Sequence, residues 1–181
     1  SDLVGALLLF FFKSKRIHHF GQIVFGFGGL FLGLDMMSDG MKPLRAFEAF
    51  HDLTVSMSSN PILGVVIGTV FTVIVQSSSA TIGILQGLFG EGLLTLNAAL
   101  PVLFGDNIGT TITAVLASIG ATVAAKRAAL THVIFNLLGT AIFLLILPLF
   151  TKLIAGFQNT LNLNPEMTIA FAHGTFNLTN V

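Results

Sequence analysis

Gln76, Ser77, Ser78 and Ser79 interrupt the apolar run VIVQSSSATIGIL (residues 73–85) with four consecutive polar side chains. In hydrocarbon an unsatisfied polar group costs several kcal/mol, so such a cluster persists only where it is buried or lines a cavity. Further along, the run Ala98–Phe104 is followed by GDNIGTT (105–111), which adds Asp106, Asn107, Thr110 and Thr111 before a second apolar arm, Ile112–Ile119. Hydroxyl and amide donors can wrap an oxyanion without the permanent charge of an arginine, which lets the anion leave. Each cluster also sits just ahead of an apolar arm, starting at Ala80 and near Ile112, whose helix N-terminus would offer free N–H groups and the positive end of its dipole. Exposed carbonyls and the side-chain oxygens of Gln76, Asn107 and Thr110 suit a hard cation such as sodium, which prefers oxygen ligands. The chemistry is that of an anion and a cation held together. The competing account is that serine and threonine bond to their own backbone or join neighbouring helices.

Asp106 is an ionisable residue at membrane depth, a position that marks function by default. Its carboxylate would repel an anion, attract sodium or carry a proton; alternatively it caps the next half-helix, as Asp commonly does. THVIFNL (131–137) and AHGTFNL (172–178) share His-x-x-Phe-Asn-Leu. His and Asn one helical turn apart fall on one face, which suits structural hydrogen bonding by His132 and His173, with a metal site as the weaker alternative. Asp35 and Asp39 lie toward one end of their helix, where hydration accounts for them.

The elements that must position these groups are membrane helices. Of 181 residues 54% are hydrophobic and only 9% charged, with mean hydropathy +0.91, against about 25% charged in a soluble domain. The chain cannot build a polar shell, and its apolar excess must face lipid. Net charge is zero with no long basic or acidic tract, which argues against nucleic acid as a partner. Cysteine is absent, which removes disulfides and thiolate metal sites. No nucleophile–base pair or metal set is visible, so the chain is not read as an enzyme and no cofactor is expected.

Along the chain, Leu3–Phe12 reads as the end of one helix and Phe20–Met41 as a full span, with a Gly29-xxx-Gly33 spacing that would admit a close neighbour. Residues 44–57 read as an interfacial amphipathic helix, and Asn60-Pro61 starts a new element. Residues 61–90 form two half-length arms about the Gln-Ser-Ser-Ser cluster, a re-entrant hairpin or one broken helix. Residues 98–119 read as a second broken helix, followed by a span from about Ala128 to Phe150, a polar loop at Gln158–Glu166 and a partial span from Met167. Lys13, Lys15 and Arg16 define one side of the membrane. If 61–90 is re-entrant, Lys126 and Arg127 join them, leaving Lys42, Arg45 and Lys152 opposite; if it crosses, the split is even. Only the hairpin gives a positive-inside bias, with the first side cytoplasmic. The chain opens at Ser1 directly on an apolar run and ends at Val181 inside another, so it is expected to be an excerpt of a longer protein.

QSSSATIGI, GDNIGTTITAVLASIGA, KRAALTHVIFNLLG and AHGTFNL together resemble the type II sodium-dependent phosphate cotransporter family, over nearly the whole chain. The resemblance implies an all-α integral membrane protein, a polytopic helix bundle with a re-entrant helical hairpin and a broken helix, forming the second of two inverted repeats. It implies sodium-coupled symport of inorganic phosphate across a multi-pass cell membrane, such as a bacterial inner membrane. Phosphate, sodium, the bilayer and the other repeat are the partners it implies, with a homo-oligomer as a further possibility. Matched motif by motif, Gln76, Ser77, Ser78, Ser79, Thr110 and Thr111 would face phosphate, while Gln76, Ser79, Asp106, Asn107 and Thr110 would face sodium. Asp106 departs from the small residue usual at its position. The alternatives are another small anion, sulfate or a carboxylate, or a non-transporting membrane subunit whose polar cluster joins helices.

Overall fold

The computed structural model describes residues 2–11 and 14–180; Lys13, counted in the charge balance above, and Phe12, at the end of the first apolar run, lie outside the described residues. Every regular element among them is helical: α1 (Asp2–Phe11), α2 (Lys15–Met41), a 3-10 helix (Lys42–Ala46), α3 (Glu48–Ser59), α4 (Pro61–Val75), α5 (Ser78–Gly90), α6 (Leu96–Ala117), α7 (Val123–Leu145), α8 (Leu147–Thr160) and α9 (Pro165–Asn180). Among the described residues three stretches are long and apolar enough to cross a membrane: α2 continued through the 3-10 helix (Lys15–Ala46), α6 and α7. The chain is an all-α membrane protein. It divides into two compact units, residues 1–40 and 41–181.

In the first unit, α1 and α2 meet where Gly5 lies against the backbone of Phe25; a Cβ at Gly5 would sit 2.6 Å from Phe25 N. Phe20, Phe25, Phe27, Leu30, Phe31 and Leu32 are exposed, an apolar area that water would penalise and lipid accepts. A Cβ built on Gly29 or Gly33 meets nothing within 4 Å, so the expected close approach at that pair is not made among the described residues.

The second unit is organised around α6. Twelve of its 22 residues are buried, and a helix apolar nearly all round belongs inside a bundle. The close helix contact is here, between α4 and α6. A Cβ on Gly68 would lie 2.1 Å from the carbonyl oxygen of Val102, and one on Gly105 would lie 2.1 Å from that of Val65. Glycines spaced four apart on both helices, Gly64 with Gly68 and Gly105 with Gly109, therefore bring the two backbones into contact. Thr69 Oγ1 donates across the seam to the Gly105 carbonyl at 3.1 Å. On the other side of α6, Phe104 joins Phe143, Phe150 and Phe176 from α7, α8 and α9, with ring centroids 4.7–5.9 Å apart, in the tilted and edge-on geometries aromatic quadrupoles favour.

The expected second break within 98–119 is absent: α6 runs unbroken through GDNIGTT. The physical reason is local. Gly105 and Gly109 serve the contact with α4 rather than a turn, and the hydroxyls of Thr110 and Thr111 bond to the carbonyls of Asp106 and Ile108 inside the helix. With no half-helix beginning near Ile112, Asp106 caps nothing. The expected span to Phe150 also ends early, at Leu145, because Pro148 sits in the first turn of α8, where its missing N–H is tolerated. Asn60-Pro61 does start a new element, and the chain bends by 119° between α3 and α4.

Residues 61–90 fold as two arms side by side. Ile67 of α4 and Leu88 of α5 line one apolar cavity with Met57 and Leu94, though a straight helix would hold residues 67 and 88 about 30 Å apart. The base is closed at one level: Ser58 and Thr95 share a hydrogen bond of 2.9 Å, and Arg45 pairs with the Glu91 carboxylate at 3.0 Å.

Candidate functional site

The tip of this hairpin is where the polar cluster lies. α4 ends at Gln76, whose backbone is left-handed (φ 54°, ψ 27°) and whose N–H donates to the Thr72 carbonyl at 2.7 Å. For a residue with a Cβ that conformation costs roughly 1–2 kcal/mol, and strain of this kind collects where function requires it. Asn162 is the other non-glycine residue with positive φ among the described residues, but Asn adopts this region readily and Gln does not. Ser77 is the N-cap of α5; its Oγ accepts from Ala80 N at 3.3 Å. The N–H groups of Ser78 and Ser79, in the first turn, have no carbonyl partner within the helix, and they point outward at the positive end of its dipole.

Opposite this turn stands α6. Gln76, Ser77, Ser78 and Ser79 line a cavity of about 280 Å³ together with Thr72, Gly109, Thr110 and Thr113. At about 30 Å³ per water it has room for a small ion that keeps some hydration. Its two walls differ chemically. The hairpin wall carries donors: two free N–H groups, the serine hydroxyls and the Gln76 amide. On the α6 wall, Thr110 has spent its proton on the Asp106 carbonyl (2.8 Å) and Thr113 on the Thr110 carbonyl (3.0 Å). Their oxygens are left as acceptors. A donor wall facing an acceptor wall suits an anion and a cation side by side.

The remaining candidates lie elsewhere. Thr111 is buried, bonds to the Ile108 carbonyl at 2.7 Å and does not line the cavity. Asn107 donates to Asn177 of α9 at 2.9 Å, and Asn177 donates in turn to the His173 carbonyl at 3.0 Å. Asn136 makes the same bond to the His132 carbonyl at 2.9 Å, so in both repeats of the motif the Asn amide bonds to the backbone of the His one turn earlier. Asp106 is fully buried behind the cavity wall. Its Oδ1 accepts from Thr72 at 2.8 Å, while its Oδ2 has no partner. Thr72, Thr81 and Thr113 were not singled out from the sequence. The signal was present for Thr72, which stands one turn before Gln76 and one turn after Gly68, on the face α4 turns toward α6.

A family model described as Na+/Pi-cotransporter matches residues 35–162, which span the hairpin and all of α6. The chain belongs to the sodium/phosphate cotransporter family. Members similar to it include YqeW of Bacillus subtilis, an uncharacterized protein 36% identical over 176 residues, which cover 97% of this chain and 56% of YqeW. YjbB of Escherichia coli K12, which carries inorganic phosphate export in its name, is 27% identical over 175 residues, 97% of this chain and 32% of YjbB. The human sodium-dependent phosphate transport protein 2B is 38% identical over 116 residues, 62% of this chain and 16% of that protein. The chain thus spans about half of YqeW and a third of YjbB. No solved structure matches it. Membership in this transporter family and the apolar helices together make it a multi-pass membrane protein whose family business is phosphate transport.

Proposed function

We propose that this chain supplies a sodium- and phosphate-binding half of a secondary transporter in the cell membrane, with residues 61–90 entering the bilayer as a re-entrant hairpin and residues 44–57 lying at its interface. The observation that carries the proposal is the cavity in which the α5 N-terminus, with Gln76, Ser77, Ser78 and Ser79, faces the acceptor oxygens of Thr110 and Thr113. Phosphate binds the hairpin wall, where N–H and O–H donors meet its oxygens. Sodium binds toward α6 through Thr110, with the Asp106 carboxylate one hydroxyl behind it as counter-charge. Asn107 holds α9 in place rather than touching the ion, and Thr111 is left out of the phosphate contacts. Such a donor set lacks a fixed cation, so phosphate is held firmly only when sodium accompanies it. That is the requirement for symport. Each net positive charge moving inward is worth about 2.3 kcal/mol per 100 mV, enough to drive accumulation.

The test uses the complete protein reconstituted in proteoliposomes. An inward sodium gradient should drive uptake of labelled phosphate, potassium should not replace sodium, and excess sulfate should compete weakly. Uptake that ignores sodium would overturn the coupling, and preferential inhibition by sulfate or a carboxylate would reassign the anion. The name of YjbB favours the same site working in net export, which an outward gradient would reveal as sodium-dependent efflux.

A further inference from the structure

We propose that Thr72 is the coupling residue between Asp106 and the phosphate-facing turn, the device by which a cation held near Asp106 sets the geometry of the serine cluster. The proposal rests on the sodium and phosphate reading given above and assigns a role to a residue outside the expected set. Thr72 is 1% exposed, in the last turn of α4. It touches all three helices that build the site. Its own carbonyl holds Gln76 N at 2.7 Å and so closes the left-handed turn. Its Oγ1 lies 2.8 Å from Asp106 Oδ1 on α6 and 3.1 Å from Thr81 Oγ1 on α5. Its Cβ is the group a side chain at Gly109 would strike, at 2.6 Å. Thr81 Oγ1 continues the chain to the Ser77 carbonyl at 3.1 Å, and Ser77 is the N-cap of α5.

A hydroxyl has one proton, and this makes the chain directional. While the Asp106 carboxylate is bare, Oδ1 is the stronger acceptor and takes the Thr72 proton, since hydrogen bonds to charged groups are the stronger kind. The Thr72 oxygen, so polarised, takes the Thr81 proton across 3.1 Å in place of the Ser77 carbonyl. When a cation binds at Thr110, with the carboxylate behind it, its charge offsets that of Asp106 and the pull on that proton weakens. Thr72 can then donate to Thr81, and Thr81 to the Ser77 carbonyl. The Ser77 carbonyl also accepts from Thr81 N at 3.1 Å, so the second arrangement fastens the N-cap with both the amide and the hydroxyl of Thr81. Cation occupancy on α6 thereby tightens the turn that presents Ser78 and Ser79, with no cation–phosphate contact required. Coupling between two sites needs a physical element with two arrangements that both ligands bias; the orientation of two buried hydroxyls is that element.

The experiment measures the half-saturating phosphate concentration at low and at saturating sodium, in proteoliposomes of the complete protein. In the wild type this concentration should fall by about fivefold or more as sodium rises, the range of ordinary coupling between sites. Thr72→Val keeps the shape and removes the hydroxyl; it should flatten the response to less than about twofold, and Thr72→Ser should restore it. In an Asp106→Asn background, Thr72→Val should add almost nothing, because both changes cut one chain. A Thr72→Val protein whose phosphate affinity follows sodium as the wild type does would overturn the inference and leave the transport reading standing. Additive effects of Thr72→Val and Asp106→Asn would overturn it as well. A wild type with no sodium dependence fails the transport reading itself, a result visible before any variant is made. If Thr72→Val does not fold, Thr81→Val severs the chain one link further along, and it must flatten the same response for the inference to survive.

Discussion

Replacing Gly105 by Ala adds one methyl group at the tightest point of the α4–α6 seam. The new Cβ would lie 2.1 Å from the Val65 carbonyl oxygen, 2.8 Å from Thr69 N and 2.9 Å from Val65 C. All three are backbone atoms, so no side chain can swing aside. To restore an ordinary contact of 3.4 Å, α4 must retreat by about 1.3 Å. Overpacking of this kind costs about 1–3 kcal/mol. The retreat also stretches Thr69 Oγ1 to the Gly105 carbonyl and Thr72 Oγ1 to Asp106, now 3.1 and 2.8 Å, at a loss of roughly 1–2 kcal/mol for the pair. The better helix propensity of Ala returns about 1 kcal/mol. A net loss of about 2.5 kcal/mol corresponds to a melting temperature lower by about 5–10 °C for a chain of this size. The assay is thermal unfolding in detergent beside Gly156→Ala in α8, where an added Cβ meets nothing within 4 Å and propensity alone acts. A Gly105→Ala protein melting at or above Gly156→Ala would refute the glycine seam.

Ser78→Ala should raise the half-saturating phosphate concentration about tenfold to a hundredfold, the worth of one hydrogen bond to a charged group, without lowering the yield of folded protein; unchanged phosphate affinity would remove Ser78 from the site. Asp106→Asn should raise the half-saturating sodium concentration more than it alters phosphate affinity, because Asn keeps a carbonyl oxygen and the size but loses the charge; superimposable sodium titrations would make Asp106 structural. Gln76→Gly relieves a left-handed strain of roughly 1 kcal/mol and should raise the melting temperature by about 2–4 °C, while phosphate uptake falls with the lost amide. Full uptake in that variant would show that Gln76 is present only to close the turn.

Much of this protein is legible in its sequence because hydrocarbon is an unforgiving solvent. A chain with 9% charged residues and apolar runs of spanning length is helical where it meets lipid, and four polar residues in an apolar run must answer to a cavity. The start of α4 at Pro61 and the break at Gln76-Ser77 follow from local chemistry alone, proline at a first turn and serine as a cap. What local chemistry leaves undecided is what a glycine or an aspartate is for. GDNIGTT carries the composition of a break, yet α6 runs straight through it, because its glycines are spent on contact with Val65 and Thr72 of α4 and its threonines on their own backbone. Among the described residues the glycine pairs that pack are 64 with 68 and 105 with 109, not 29 with 33, and no spacing rule separates them, since all obey it. Only the packed bundle decides which helix arrives opposite. The same holds for the site: Gln76 to Ser79 and the Gly109-Thr110 pair are visible in sequence, while Thr72 and Thr113 join them because two helices bring their backbones together. Whether Asp106 faces the cavity or stands behind it is set by the angular position of one side chain on a helix whose neighbours are distant in sequence. Local preference acts over a turn or two of helix, and burial and close approach act between segments, so the membrane elements belong to the sequence and the assembly of the site to the tertiary structure.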